Sequence, residues 1–322
     1  MENKKIFIFG GSGSLGHCLI KRYIDKNTIY NYSRDECKHW KMELHFRNKN
    51  LNNIIGDIIN YNRVEESLLR VKPDVIIIAS AMKHIDRCEF ASNESLNSNL
   101  LGTKNIVDVI EKHQNTLVNL ESVLFVSTDK ACNPINIYGM CKALSEKLVI
   151  EKSNYVKRIK FVCVRYGNVL NSRGSIIQIL DEIGKNPEVA SYKLTNEKMT
   201  RFIMTLEDSC DLIEYTLLHG ESGDTVIPKI KAILIKDLIN LYAEKYKKDV
   251  KLDKIRPGEK MYESLINDSQ SMRLVETEKY YHIKSNYKYE LLNENMFDYN
   301  SNNAEFMPKE ELCAYLKEKM LI

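Results

Sequence analysis

The chain lacks most of what marks small secreted, fibrous or membrane-spanning proteins. It has 6 prolines, 13 glycines and 1 tryptophan in 322 residues, so it holds neither a collagen-like repeat nor a proline-rich linker. Its apolar runs are short, such as Val75 to Ala79. A membrane helix needs roughly 20 such residues, and no span is expected. The opening Met1-Glu2-Asn3-Lys4-Lys5 leads straight into Ile6-Phe7-Ile8-Phe9, without the long apolar core of a secretory signal. An excess of one charge is missing too. Lys and Arg number 47 against 44 Asp and Glu, a net charge of +3, so there is no basic footprint for nucleic acid. The eight cysteines (Cys18, Cys37, Cys88, Cys132, Cys141, Cys163, Cys210, Cys313) form no Cys-x-x-Cys, and the seven histidines are scattered. No metal is therefore assigned. Cysteines in apolar stretches, such as Phe161-Val162-Cys163-Val164, read as reduced thiols of a cytoplasmic protein.

What the first half does contain is alternation. Lys5 to Phe9, Thr28 to Tyr32, Asp74 to Ala79, Ser122 to Ser127 and Lys160 to Arg165 read as strands buried on both faces. Arg63 to Val71, Leu100 to Lys112 and Gly139 to Lys152 read as helices between them. Such repeats imply right-handed crossovers and an α/β fold, a Rossmann-like doubly wound parallel sheet. After Arg165 the pattern loosens into a smaller C-terminal α/β region. There Leu234 to Tyr246 and Pro308 to Lys319 read as amphipathic helices, with Pro308 at a helix start.

Gly10-Gly11-Ser12-Gly13-Ser14-Leu15-Gly16 follows the first strand and opens a helix. A turn of this kind must be tight, must let the backbone approach a pyrophosphate, and must aim free N–H groups at the anion. Gly10, Ser12, Gly13, Ser14, Leu15 and Gly16 are thus candidate cofactor ligands. The second strand ends in Ser33-Arg34-Asp35. An acidic residue there selects NAD, whereas the hydroxyl of Ser33 and the guanidinium of Arg34 suit a 2′-phosphate, so NADP is the expected cofactor. The alternative leaves Arg34 solvated and gives the ribose to Asp35. Asp57 and Ile58, after the third strand, are placed beside the adenine.

Ser127-Thr128-Asp129-Lys130 stands at the carboxyl end of a strand, the end where open α/β sheets bind ligands. Tyr138-Gly139-Met140-Cys141-Lys142 then sets Tyr and Lys on one helical face. A phenol titrates near 10, and Lys142 is expected to lower that value so that Tyr138 can act as a base.

These motifs, together with Asn99 in Ser98-Asn99-Leu100-Leu101-Gly102-Thr103, resemble the extended short-chain dehydrogenases/reductases. Several segments narrow the resemblance to the soluble, C5-inverting UDP-N-acetylglucosamine 4,6-dehydratases. They are Ser127 to Pro134, Arg165 to Val169, Ser172 to Ser175, Met199 to Phe202 and Ile255 to Lys260. Retaining dehydratases are expected to carry Asp-Glu where this chain has Asp129-Lys130, and 4-epimerases neither. Asn196 in Leu194-Thr195-Asn196 departs from the Asp often found in the family.

The resemblance implies an internal redox cycle on UDP-N-acetylglucosamine with NADP. Tyr138 takes the O4 proton, helped by Lys142, and Thr128 hydrogen-bonds O4 or the phenol. Asp129 is the candidate acid and Lys130 the candidate base for loss of water, with exchange of the two roles left open. Ala79, Ala81, Lys83 and Asn99 are expected at the cofactor. Lys83, Asn168, Ser172, Arg173, Ser175, Thr195, Arg201, Arg256 and Glu259 are expected at the sugar nucleotide, with arginines on its diphosphate. Residues 1–165, with a returning segment at about 203–228, would form the NADP-binding domain, and 166–202 with 229–322 the nucleotide-sugar-binding domain. A homo-oligomer is expected, with partner enzymes acting on the 4-keto product. The rival readings are a UDP-sugar 4-epimerase, a 4-keto reductase and a non-catalytic NADP-binding sensor.

Overall fold

In Lys5–Phe9, the strand β1, every residue after Lys5 is buried, because helices cover both faces. Phe7 and Phe9 point to one face, among Ile76, Ile106, Phe125 and Val149. Ile6 and Ile8 point to the other, among Leu19, Ile77, Leu124 and Leu212. This period-two division makes one sheet the wall between two cores. The computed structural model describes residues 1–287 and 293–322.

Five more strands follow: β2 (Thr28–Ser33), β3 (Leu51–Ile55), β4 (Val75–Ile78), β5 (Ser122–Val126) and β6 (Lys160–Val164). They lie parallel in the order β3-β2-β1-β4-β5-β6, continued by a parallel strand Thr225–Pro228. This is the doubly wound parallel sheet expected from the sequence. The strand β3 had no range from its sequence, since Asn52 and Asn53 break the apolar run. Asn53 instead accepts a hydrogen bond from buried Asn31 of β2 at 2.8 Å. Helices Ser14–Tyr23 (α1), Tyr61–Val71, Gly102–Lys112 and Ile137–Tyr155 connect the strands. Leu100 and Leu101, expected to be α-helical, belong to a π-helical turn, Leu96–Leu101.

The returning segment contributes the helix Leu206–His219 and the strand Thr225–Pro228. One division differs from the sequence reading. Strands Leu274–Glu276 and Tyr280–Ile283, assigned there to the second region, close the edge of the main sheet antiparallel. They do so because Thr225–Pro228 leaves a free edge whose backbone groups need partners.

The rest of the C-terminal half packs around Leu180, Tyr192, Leu238, Tyr242 and Leu312. It carries short sheets, among them Ala232–Leu234, Thr200–Met204 and Asn168–Val169 side by side. Its helices Ile235–Tyr246 and Lys309–Glu318 fall where the sequence placed them, with Pro308 as the cap of the second. Buried Arg165 ties the two parts together. It pairs with Glu146 through both carboxylate oxygens, at 3.0 and 2.6 Å, and donates to Leu265 O and Gln270 Oε1 at 2.7 and 2.9 Å.

Candidate active site

The glycine-rich turn lies at the carboxyl end of β1. Gly10 has φ +89°, and a Cβ there would meet Ser80 N at 2.7 Å. A Cβ on Gly16 would lie 2.4 Å from Gly11 Cα, so α1 can pack against the turn only through glycine. Gly13 caps α1 without a side chain, which leaves the first-turn N–H groups without a side-chain acceptor. Ser80 Oγ and Ser127 Oγ, at the ends of β4 and β5, are buried with no hydrogen-bond partner among the described residues. A tight glycine turn, free helix-terminal N–H groups and unpaired hydroxyls beside it fit a dinucleotide pyrophosphate and ribose.

At the end of β2, Ser33 Oγ lies 2.5 Å from the His39 ring. Arg34 is exposed and pairs with Asp57 at 3.4 Å. Asp35 caps the next helix through Lys38 N and also pairs with the Lys38 ammonium, so its carboxylate is occupied by its own helix. Asp35, Glu36 and Cys37 hold potential ligand atoms within 4.8 Å of one another, but Glu36 and Cys37 are exposed and Asp35 is engaged. The Asp57 backbone carbonyl accepts from Tyr32 OH at 2.9 Å, and Ile58 is buried against Gly102. Asn99 does not offer a free group to a cofactor. It is buried and spends its amide on Met82 N and Met82 O, at 2.8 and 2.9 Å, and on Ser95, thereby shaping the loop after β4. Ala79 is bound through its N–H to Phe9 O, and Ala81 is exposed in that same loop.

The strand β5 runs into Thr128, Asp129 and Lys130. Asp129 is fully buried. Its Oδ1 accepts from Thr128 Oγ1 at 2.9 Å and from Lys130 Nζ at 2.8 Å, while Oδ2 has no hydrogen-bond partner among the described residues. Lys130 also donates to Asn168 Oδ1 at 3.2 Å. Asn168, expected near the diphosphate, accepts this bond through its side-chain oxygen. Glu263, absent from the sequence reading, brings a second carboxylate 3.7 Å from Lys130 Nζ. Desolvation opposes the charge on Lys130, but Asp129 and Glu263 outweigh it and raise its pKa.

Tyr138 and Lys142 sit on one buried face of the Ile137–Tyr155 helix. Their coupling differs from the expectation. Lys142 Nζ donates to Val126 O at 2.5 Å and lies 3.8 Å from the Phe125 ring centre. Burial brings its pKa down to about 7. Burial and the Asp129 charge push the Tyr138 phenol well above its ordinary value, and only a hydrogen bond with Thr128 works the other way. The lysine ammonium is turned toward the strand end, so it does not supply the expected help to the phenol in this arrangement.

The remaining predicted residues fall into two groups. Lys83 Nζ donates to Ser172 Oγ at 3.4 Å. Arg173 closes over the glycine turn, its backbone N–H on Ser14 Oγ at 2.9 Å and its guanidinium on Ser12 O. Ser175 Oγ is buried and unpaired at the start of the Ile176–Lys185 helix. On the other side, Arg201 is buried and clamps backbone carbonyls of Thr200, Lys260 and Met261. Glu259 lies 2.9 Å from Arg256 and 4.0 Å from Arg201. Arg201 and Arg256 thus share Glu259, and Arg173 lies on the glycine turn. Thr195 contacts Met199, and Asn196 caps its own turn through Lys198 N. An amide oxygen does this as well as a carboxylate, so the departure at Asn196 costs no local hydrogen bond.

Comparison with known proteins agrees with the fold. Residues 6–285 match the family described as polysaccharide biosynthesis protein. A UDP-glucose 4-epimerase of Rickettsia bellii (strain OSU 85-389) is 35% identical over 337 residues, covering 98% of this chain and 95% of that protein. The X-ray structure of Pen from Bacillus thuringiensis superposes with a TM-score of 0.91 at 29% identity, covering 100% of this chain and 99% of the other. A UDP-N-acetylglucosamine 4-epimerase from Methanobrevibacter ruminantium M1 shares the fold, with a TM-score of 0.66 at 18% identity over 80% of this chain and 88% of that one.

Proposed function

The chain belongs to the polysaccharide biosynthesis protein family, extended short-chain dehydrogenases/reductases that include nucleotide-sugar epimerases and dehydratases, and from that premise we propose that it is an NADP-dependent UDP-N-acetylglucosamine 4,6-dehydratase that inverts C5. The observation that carries the reading is the buried Asp129–Lys130 pair beside Tyr138. A 4-epimerase needs a base for O4 only. Elimination of water needs a second acid and a second base within reach of C5 and C6.

When bound, the cofactor would supply the hydride acceptor for C4 and the donor for C6. Tyr138 takes the O4 proton, and Thr128 holds the phenol. The new C4 ketone acidifies the C5–H. The ion pair favours the exchanged order of roles: Lys130 carries the proton, and Asp129 presents an unpaired Oδ2. Asp129 then removes the C5 proton while Lys130 protonates the departing C6 hydroxyl as water. The protons balance. Two are released, from O4 and C5, and two are consumed, by the leaving hydroxyl and by C5 when it is reprotonated. Reprotonation from the opposite face gives UDP-2-acetamido-2,6-dideoxy-β-L-arabino-hexos-4-ulose. Ser33 and Arg34 support NADP over NAD. No helix among the described residues is long and apolar enough to cross a membrane. Exposed Leu101, Met140 and Leu144 on neighbouring helices support a homo-oligomer.

The alternative, a UDP-sugar 4-epimerase, is favoured by the name of the Rickettsia relative. Incubation with UDP-N-acetylglucosamine and catalytic NADP+ in D2O, followed by NMR, separates the two. The expected product is a 4-keto sugar with deuterium at C5, the C4 hydrogen delivered to C6, and the L-arabino configuration. The D-xylo ketone alone from the earliest time points would reject inversion and leave dehydration standing. UDP-N-acetylgalactosamine as the product would establish the epimerase instead.

A further inference from the structure

Two lysines near the site are shielded from water, and their surroundings differ in one respect. Lys142 donates to a backbone carbonyl and lies over a ring face, with no carboxylate among the described residues in ion-pair contact. Lys130, with 14% of its side chain exposed, has Asp129 at 2.8 Å and Glu263 at 3.7 Å. Glu263 is itself 2% exposed. One of its oxygens faces Lys130; the other, Oε2, has no hydrogen bond among the described residues and lies 3.5 Å from Lys260 Nζ. Lys260 is held in turn by Cys132 O at 3.1 Å. The backbone of Glu263 is fixed on both sides: its N–H donates to Ser301 Oγ at 3.0 Å, and its C=O accepts from Ser301 N at 2.8 Å. The result is a buried row of alternating charge, Asp129, Lys130, Glu263 and Lys260.

A buried carboxylate without a hydrogen bond to one oxygen destabilises the fold. The charge of Glu263 acts on Lys130. We propose that Glu263 is a positioning residue for catalysis, holding Lys130 charged and directed at Asp129 so that the pair enters the cycle as ammonium and carboxylate. The part concerning elimination rests on the dehydratase reading; the part concerning the charge of Lys130 does not. The groups facing Lys130 are Asp129 on its own turn, Glu263 on the loop after Lys260, and Arg201 on the Thr200–Met204 strand, whose positive charge opposes the two carboxylates. Tyr138 lies beyond Asp129. The raised pKa of Lys130 and the lowered pKa of Lys142 agree with this account.

The test is the pH dependence of water loss in Glu263→Gln, which keeps the shape and removes the charge. Lys130 should lose its proton at lower pH, so the alkaline limb should move down by about one pH unit, a tenfold loss of elimination on that limb. Oxidation at C4, read as reduced-cofactor absorbance, should be spared on the acid side. Glu263→Asp should restore the limb in part. Lys260→Met, which leaves the Glu263 charge to Lys130 alone, should move it to higher pH and keeps the test decisive if Glu263→Gln does not fold. The same shifts should appear in the Nζ resonance of 15N-labelled Lys130, assigned with Lys130→Met. This reading separates failure of the dehydratase assignment from failure of the Glu263 role. An unchanged limb and an unchanged resonance in both Glu263→Gln and Lys260→Met would overturn the proposal.

Discussion

Replacing Glu146 by leucine leaves the Arg165 guanidinium buried with two of its four hydrogen bonds, those to Leu265 O and Gln270 Oε1. Breaking a buried ion pair from one side costs about 3–5 kcal/mol, because the remaining charge has lost both water and partner. With a urea slope of about 3 kcal/mol/M, a loss of about 4 kcal/mol lowers the unfolding midpoint by about 1.3 M. Arg165→Met should cost at least as much, since it strands the Glu146 carboxylate and removes the donor to Leu265 O. The double variant Glu146→Leu with Arg165→Met removes both charges. Gln270 Oε1 keeps the backbone N–H of Asn267 at 3.3 Å, so Leu265 O is the acceptor left without its donor. That costs about 1–3 kcal/mol. The double variant should therefore be more stable than either single one. Urea unfolding followed by circular dichroism measures all four proteins. A single variant losing under about 1 kcal/mol, or a double loss equal to the sum of the singles, would refute the reasoning.

Arg34→Ala should raise the dissociation constant for NADP at least tenfold and that for NAD less than twofold, since a charge-assisted bond to phosphate contributes about 1.5–3 kcal/mol; equal losses in a fluorescence titration would remove Arg34 from the 2′-phosphate. Lys142 has a folded pKa of about 7 against a reference of 10.5, so between those values the unfolded chain binds more protons and the wild-type fold gains stability as pH rises. Lys142→Met should be the more stable protein near neutral pH with a flatter profile, and urea midpoints that run parallel for the two proteins from about pH 7 to 10 would contradict this.

The parts of the fold that could be read from the sequence are those in which burial imposes a period. Along β1 both faces are covered, so the run of apolar residues gave the strand limits directly. Tyr138 and Lys142 share a face because 3.6 residues per turn puts i and i+4 together, and the helix is there. What the spacing could not give is where each polar group turns. Lys142 faces Val126 O, a carbonyl 16 residues earlier in the chain, and so leaves the phenol unaided. β3 was obscured for the opposite reason: Asn53 is satisfied by Asn31 and Glu43, and Asn52 by the carbonyls of Ile29 and Asn50, partners a one-dimensional pattern does not display. Asn99 and Arg201 look like ligand-binding residues by type, yet both are consumed by backbone groups of distant loops. Glu263 carried no signal at all. It becomes visible only when the loop after Lys260 is laid against Lys130, 133 positions away.

The positions of the cations bear on where a diphosphate can be met. Arg201 has its guanidinium committed to three carbonyls, and Arg256 is countered by Glu259 at 2.9 Å. Arg173 and Lys83 stand differently. Among the described residues no carboxylate pairs with either, and Lys83 has its pKa lowered by desolvation and then by the Arg173 charge. Two like charges held together in this way are unfavourable on their own account and become favourable when an anion lies between or beside them. They sit where the 172–175 loop crosses the glycine turn, with Ser172 and Ser14 as their neighbours. Under the proposed function this places the uncompensated positive charge at the seam between the two diphosphates, that of the cofactor and that of the sugar nucleotide. The Glu259 side of the cleft, where Arg256 is paired and Arg201 is committed to carbonyls, is left to recognise groups that carry hydroxyls or amides.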